Sequence, residues 1–124
     1  MRASVRQEAL PNVGAFGDEA AALGGVVAKL AQALDPLEVW LFGSRAEGNA
    51  RADSDFDLLV VAKPDGEFDS TDYVRVRAPL RDLGVGCDVV PCSAADFLEE
   101  MAFPHSFVGQ IVKRGRRVYA SETR

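Results

Sequence analysis

The chain has 124 residues, 48% of them hydrophobic, with a formal net charge of −5. This length fits one domain. The hydrophobic share excludes a wholly disordered chain, and the acidic balance argues against a protein that binds duplex nucleic acid through a basic face. Cys87 and Cys92 form no CxxC pattern and His105 is the single histidine, so we expect reduced thiols and no zinc site.

The N-terminal region precedes the first periodic pattern. Residues 1–17 show no clear period and are predicted to form an arm, which leaves residues 18–124 as the domain. Asp18 is a typical N-cap residue, and apolar residues then recur at helical spacing until Asp35-Pro36 ends the helix. No apolar run reaches the roughly 18 residues of a membrane span, and no signal-peptide core is present. We therefore expect no membrane association and a cytoplasmic location.

Strand and helix patterns alternate along the rest of the chain. Strands are predicted over residues 37–42, 56–62, 85–90 and 117–120, and helices over residues 70–83, 93–101 and 107–114. Pro79 predicts a kink or two shorter pieces in its helix. Ser93 is expected to cap the next helix, and Gly115 to close the last one. The alternation predicts an α/β fold, with a small mixed β-sheet packed with helices.

Gly43-Ser44 follows the first predicted strand directly. Ser44 and Glu47 have the S-x-x-E spacing of a helix capping box. A second interpretation is an anion site, because free N–H groups at a helix start attract phosphate and a glycine lets the ligand approach closely. The two interpretations are compatible.

Acidic residues stand at the start of the second predicted strand. Asp55 and Asp57 are two apart, so a strand places both carboxylates on the same face. Their mutual repulsion is removed by a divalent cation such as Mg²⁺. Asp88 interrupts the third apolar strand, and the carboxylates converge if that strand lies beside residues 56–62. The alternatives are a solvated acidic loop and an edge strand with Asp88 in water.

Together these residues resemble a known signature. Gly43-Ser44-Arg45-Ala46, followed by Ser54-Asp55-Phe56-Asp57-Leu58-Leu59-Val60, resembles the GS-x10-D-x-D pattern of the DNA polymerase beta nucleotidyltransferase superfamily. Length and form look like its minimal nucleotidyltransferases, the MNT-type antitoxin partners of HEPN toxins. The resemblance covers roughly residues 20–120, and it implies the polymerase beta-like catalytic core.

The resemblance implies a role for each motif residue. Catalytic and metal-binding roles, with two Mg²⁺ ions, are implied for Asp55, Asp57 and Asp88. Binding of the phosphates of ATP is implied for Gly43, Ser44 and Arg45. Glu47 departs from the pattern, since many relatives carry arginine there, and it supplies no positive charge for a triphosphate.

The resemblance also implies an activity: transfer of AMP from ATP to a hydroxyl of a partner protein, a HEPN-type toxin, by an enzyme that acts as antitoxin. The sheet and its packing helices use up the residues after Asp57, so we expect a site that is open on one side and completed by a partner. An aminoglycoside-type small-molecule nucleotidyltransferase and a non-catalytic antitoxin that neutralises by binding stay open as alternatives. Homo-oligomeric and hetero-oligomeric assembly also stay open.

A basic cluster lies near the C-terminal end of the sequence. Its members are Lys113, Arg114, Arg116 and Arg117. Such a cluster is usually a solvated face, and the alternative is contact with an acidic partner or a ligand phosphate.

Overall fold

The computed structural model describes residues 10–122, so residues 1–9 of the predicted arm lie outside the described part. The helices are α1 (Glu19–Leu34), α2 (Ser44–Glu47), α3 (Tyr73–Arg77), α4 (Ala94–Met101) and α5 (Phe107–Arg114), and the strands are β1 (Glu38–Phe42), β2 (Phe56–Val61), β3 (Cys87–Cys92) and β4 (Arg116–Ala120). None of the helices within residues 10–122 has the length and apolar character needed to cross a membrane.

The strands form one mixed sheet in the order β3-β2-β1-β4. β1 runs antiparallel to both of its neighbours, and β2 runs parallel to β3. The predicted α/β fold with a small mixed sheet is therefore confirmed. β3 and β4 are the edge strands, which puts β2, the strand that carries Asp57, in the interior of the sheet.

Local sequence signals explain where the helices begin and end. Asp18 caps α1 by accepting a 2.8 Å hydrogen bond from the Ala21 N–H, and Ser93 caps α4 in the same way, as predicted. The helix predicted over residues 70–83 is split by Pro79, which lies in a 3₁₀ turn after α3. Proline has no N–H to donate and its ring crowds the preceding turn, so the α-helix cannot continue through it.

Helices cover the sheet on both faces. One core joins α1 to the sheet through Val26, Leu30, Val39, Leu58 and Val60, and the other joins α4 and α5 to it through Leu59, Val61, Phe97, Val108 and Ile111. Burial of each large apolar side chain stabilises the fold by about 1.5–3 kcal/mol. Because strand side chains alternate between faces, Asp57 lies on the same face as Leu59, the face that α4 and α5 cover.

Candidate active site

The turn after β1 is built by Gly43. Its φ of 72° and ψ of −157° belong to a region that essentially only glycine adopts. Gly43 occupies the N-cap position of α2, and its carbonyl accepts hydrogen bonds of 3.1 Å from the N–H groups of Ala46 and Glu47. The predicted capping box is therefore wrong, because Ser44 is already the first helical residue. Within residues 10–122 the Ser44 hydroxyl has no hydrogen-bonding partner, which leaves it available to a ligand.

Gly43 lies directly against one of the predicted carboxylates. Phe42 pairs with Asp57 across β1 and β2, and a Cβ built on Gly43 would overlap Asp57 Oδ2. A side chain at this position would therefore displace the carboxylate. The glycine is needed both for its backbone conformation and for the close approach of Asp57.

Asp55 has a second glycine beside it. A Cβ on Gly86 would lie 2.5 Å from Asp55 Oδ1. The side-chain amide of Asn12 joins the two segments, since its Nδ2 donates to the carbonyls of Ser54 at 2.9 Å and Gly86 at 2.8 Å, and its Oδ1 accepts from the Gly86 N–H. Asn12 therefore fixes the residues that lead into β2 and β3. It lies in the predicted arm, and no sequence signal pointed to it.

Asp88 lies beside Asp57 in the sheet. The two residues are in register across the parallel strands β2 and β3, so their side chains leave the sheet on the same face. Asp88 is on an edge strand and about half exposed, and Arg77 of α3 forms an ion pair of 3.0 Å with its Oδ1. β3 thus lies beside β2, which is the condition on which the predicted convergence of the carboxylates depends. Arg77 is a cation that the sequence did not indicate.

The carboxylates affect one another electrostatically. The pKa of Asp57 is raised above its ordinary value of 3.8, first by burial and then by the negative charges of Asp88 and Asp55. Burial, followed by the charges of Asp55 and Asp57, raises the pKa of the Cys87 thiol to about 12. The thiol therefore stays protonated at neutral pH and does not supply a thiolate ligand or nucleophile.

The carboxylates near the Gly43 turn are of the ligand type that binds divalent cations. Within the described residues, no group of three or more His, Cys, Asp or Glu side chains stands ready to hold a metal ion. The Asp88 carboxylate is instead bound to Arg77. The pKa of Asp57 is raised first by burial and then by the negative charges of Asp88 and Asp55, and a cation would relieve that repulsion. Carboxylate oxygens are the ligands that Mg²⁺ prefers. Asp55 and Asp57 would hold such an ion, and Asp88 would join them on leaving Arg77.

Arg45 is buried next to the site and its donors are occupied. Its guanidinium forms an ion pair with Glu19, donates to the carbonyl oxygens of Ala52 and Ser54, and stacks 4.4 Å from the centre of the Phe56 ring. These contacts fix the loop that leads to Asp55. Its predicted contact with phosphate stays a prediction, as do the phosphate contacts of Gly43 and Ser44.

Comparisons with known proteins agree with this architecture. The family model described as "Nucleotidyltransferase domain" matches residues 25–118. No curated protein matches the chain. A solved protein of Sulfolobus solfataricus assigned as a nucleotidyltransferase is similar in fold, with a TM-score of 0.55 and 24% identity over 82% of this chain and 79% of that one. A toxin–antitoxin structure solved with AMP-PNP gives a TM-score of 0.49 and 20% identity over 79% and 73% of the two chains.

Proposed function

Because this chain belongs to the nucleotidyltransferase domain family, we propose that it uses Mg²⁺ to transfer AMP from ATP to a hydroxyl of a partner protein. The observation that carries the proposal is the placement of Asp57 and Asp88 in register on one face of the sheet, with Asp57 against the Gly43 turn and Asp55 just before β2. In this proposal Gly43 and Ser44 receive the phosphates of ATP.

The reaction forms one bond and breaks another at the α-phosphorus. The oxygen of the acceptor hydroxyl attacks this atom, the bond to the bridging oxygen of pyrophosphate breaks, and pyrophosphate leaves with that electron pair. Asp88 is exposed, and in this proposal it accepts the hydroxyl proton, while Asp55 and Asp57 would hold the metal ion. Bound Mg²⁺ would neutralise the charge that develops on the phosphate oxygens.

A protein acceptor is supported by the surface next to the site. Phe107 lines the pocket beside Gly43 and is 51% exposed, and Phe103, which precedes α5, is 61% exposed. Exposed aromatic side chains are typical of protein contact surfaces. We propose a HEPN-type toxin as the partner, on the resemblance of the Gly43-to-Val60 stretch to minimal nucleotidyltransferases, and transfer of AMP to it is the antitoxin activity.

The test combines two readouts. The protein is incubated with Mg²⁺, ATP and a HEPN-type protein encoded beside it, and we expect pyrophosphate release and AMP on one hydroxyl of the partner by mass spectrometry. Asp55→Asn and Asp57→Asn should abolish both, whereas Asp53→Asn, the same change in the loop that precedes β2, should keep both.

Other outcomes would contradict parts of the proposal. Pyrophosphate release with an aminoglycoside, but no AMP on protein, would replace the protein acceptor with a small molecule. Equal neutralisation of the toxin by the Asp55→Asn/Asp57→Asn/Asp88→Asn protein would establish neutralisation by binding alone.

A further inference from the structure

A small pocket opens next to the Gly43 turn. It has a volume of about 170 Å³ and lies between the end of β1 and helix α5, with Gly43, Glu47, Phe107 and Arg114 among its lining residues. Gly43 also lies against the Asp57 carboxylate, so one residue separates the pocket from Asp57. The pocket and Asp57 lie on the same face of the sheet, the face that α5 covers.

Helix α5 presents one continuous face to this pocket. Phe107, Gln110, Ile111 and Arg114 follow the i, i+3, i+4, i+7 spacing of a single helical face, and each of them lines the pocket. Ile111 is buried, and Phe107 packs edge-on against Phe42 with ring centres 5.5 Å apart. These contacts fix the orientation of α5, so the position of Arg114 at the mouth of the pocket follows from the packing of the helix.

In the metal-free chain, the described basic residues beside the carboxylates are already paired. Arg45 is buried and bound to Glu19, Glu47 is acidic, and Arg77 is paired with Asp88. A polyanion that approaches this group of carboxylates needs positive charge nearby. Within residues 10–122, Arg114 is the basic residue that lines the pocket, and it has no hydrogen-bonding or ion-pair partner there.

We propose that Arg114 binds the phosphate chain of the nucleotide and supplies the positive charge that is absent at position 47. This inference rests on the proposed function, because it assumes a nucleoside triphosphate as the donor. The guanidinium forms paired, charge-assisted hydrogen bonds to phosphate oxygens. The sequence left several interpretations open for the basic cluster, and contact with a ligand phosphate was one of them. We assign that contact to Arg114 and to no other member of the cluster.

The first experiment measures the binding of ATP, ADP, AMP and adenosine by calorimetry in the presence of Mg²⁺. A charge-assisted hydrogen bond contributes roughly 1.5–3 kcal/mol, so Arg114→Gln should weaken ATP binding about 10- to 100-fold. The loss should be smaller for AMP and absent for adenosine. Arg114→Lys should restore part of the ATP affinity. Lys113→Gln removes the same charge from the preceding exposed position, outside the pocket lining, and should bind ATP like the unchanged protein.

A second variant tests the effect of the negative charge of Glu47 on ATP binding. Glu47 is exposed at the pocket mouth, so Glu47→Gln should strengthen ATP binding by about two- to fivefold, and added salt should reduce the gain. Arg114 and Glu47 are exposed, so we expect both variants to unfold at the same temperature as the unchanged protein. That result would exclude a folding defect as the cause of any change in ATP binding.

The outcomes separate this inference from the proposed function. Unchanged ATP affinity in Arg114→Gln overturns the inference while the nucleotidyltransferase proposal stands. An equal loss of affinity for ATP and adenosine also overturns the inference, because that result would place the nucleoside, and not the phosphates, at Arg114. If the unchanged protein binds no nucleotide with Mg²⁺, the proposed function fails, and the Arg114 assignment fails with it.

Discussion

Asp57 carries an unfavourable charge in the folded chain. Its pKa is raised by burial, then by Asp88 and Asp55, so the folded state binds more protons than the unfolded state between the ordinary value of 3.8 and the raised value. Stability must therefore fall as the pH rises through that window, and the loss persists at neutral pH. Asp57, which the proposed chemistry requires, therefore lowers the stability of the metal-free protein, as is common at active sites.

We expect Asp57→Asn to raise the thermal unfolding midpoint of the metal-free protein by a few degrees at neutral pH and to abolish transfer. The gain should shrink as the pH is lowered through the window, because protonation neutralises Asp57 in the unchanged protein too. Urea unfolding from pH 4 to pH 7.5 measures both effects. Asp53→Asn, an exposed change in the loop that precedes β2, should give no comparable gain. A destabilised Asp57→Asn protein at pH 7.5 would contradict this account of the charge.

Gly43 and Gly48 provide a matched test of the turn. Both have positive φ, 72° and 79°, but a Cβ on Gly48 meets nothing within 4 Å. Gly48→Ala should therefore cost about 1 kcal/mol of unfolding free energy, from its left-handed backbone alone. Gly43→Ala should cost about 2–4 kcal/mol, because its backbone region is more restricted and its methyl group overlaps Asp57. Denaturant unfolding measures both, and equal costs would mean that Asp57 moves aside freely.

Some of the site could be predicted from residue spacing and some could not. The period of two in a strand predicts that Asp55 and Asp57 share a face, but β2 begins at Phe56, so Asp55 lies just before the strand. The burial of Arg45 depends on Glu19, 26 residues earlier in the chain, and so on how α1 docks against the sheet. Asn12 and Arg77 likewise gain their roles through partners that only the tertiary structure brings near.

The bounds of helices and strands could be predicted where neighbouring residues in the sequence determine them. The last helix was predicted over residues 107–114, as found for α5, because Gly115 and an apolar face define it. β3 was predicted over residues 85–90 but runs over Cys87–Cys92. Gly86, just before the strand, is hydrogen-bonded to Asn12. The strand continues through Pro91 because an edge strand tolerates a residue without an N–H.

Two adjacent glycines in α1 have opposite expected effects. A Cβ on Gly24 meets nothing within 4 Å, whereas a Cβ on Gly25 would overlap the ring of Phe16. Gly24→Ala should stabilise the protein by about 0.5–1 kcal/mol through helix propensity. Gly25→Ala should destabilise it by about 1–3 kcal/mol, because Phe16 loses its place on the helix. Thermal and urea unfolding of the two variants measure the difference, and a similar gain in both would show that Phe16 contributes little to the packing.

At the scale of the whole molecule, the sheet order explains why one carboxylate of the site is partly buried and another is exposed. Asp57 lies on an interior strand, where its charge is partly buried, and Asp88 lies on the edge, where Arg77 of α3 can reach it. An exposed ion pair of this kind contributes about 0–1 kcal/mol. It is therefore weak enough for the proposed divalent cation to displace, and the two arrangements of Asp88 would then compete.

This competition can be measured through the stability of the whole chain. A cation that binds only the folded state stabilises it by RT ln(1 + [M]/Kd), about 1.4 kcal/mol at a tenfold excess over Kd. We expect Mg²⁺ or Mn²⁺ to raise the thermal unfolding midpoint of the unchanged protein. The same titration should leave Asp55→Asn/Asp57→Asn unaffected.

Arg77→Gln should reach the same thermal shift at roughly two- to fivefold lower metal concentration. The reason is that Asp88 no longer has to leave an ion pair with Arg77 before it binds the metal. Arg75→Gln is the matched control, since Arg75 lies on the same helix and pairs with the exposed Glu67 instead. An Arg77→Gln protein that needs more metal than the unchanged protein would mean that Arg77 holds Asp88 in place for the metal. The ion pair would then support metal binding instead of competing with it.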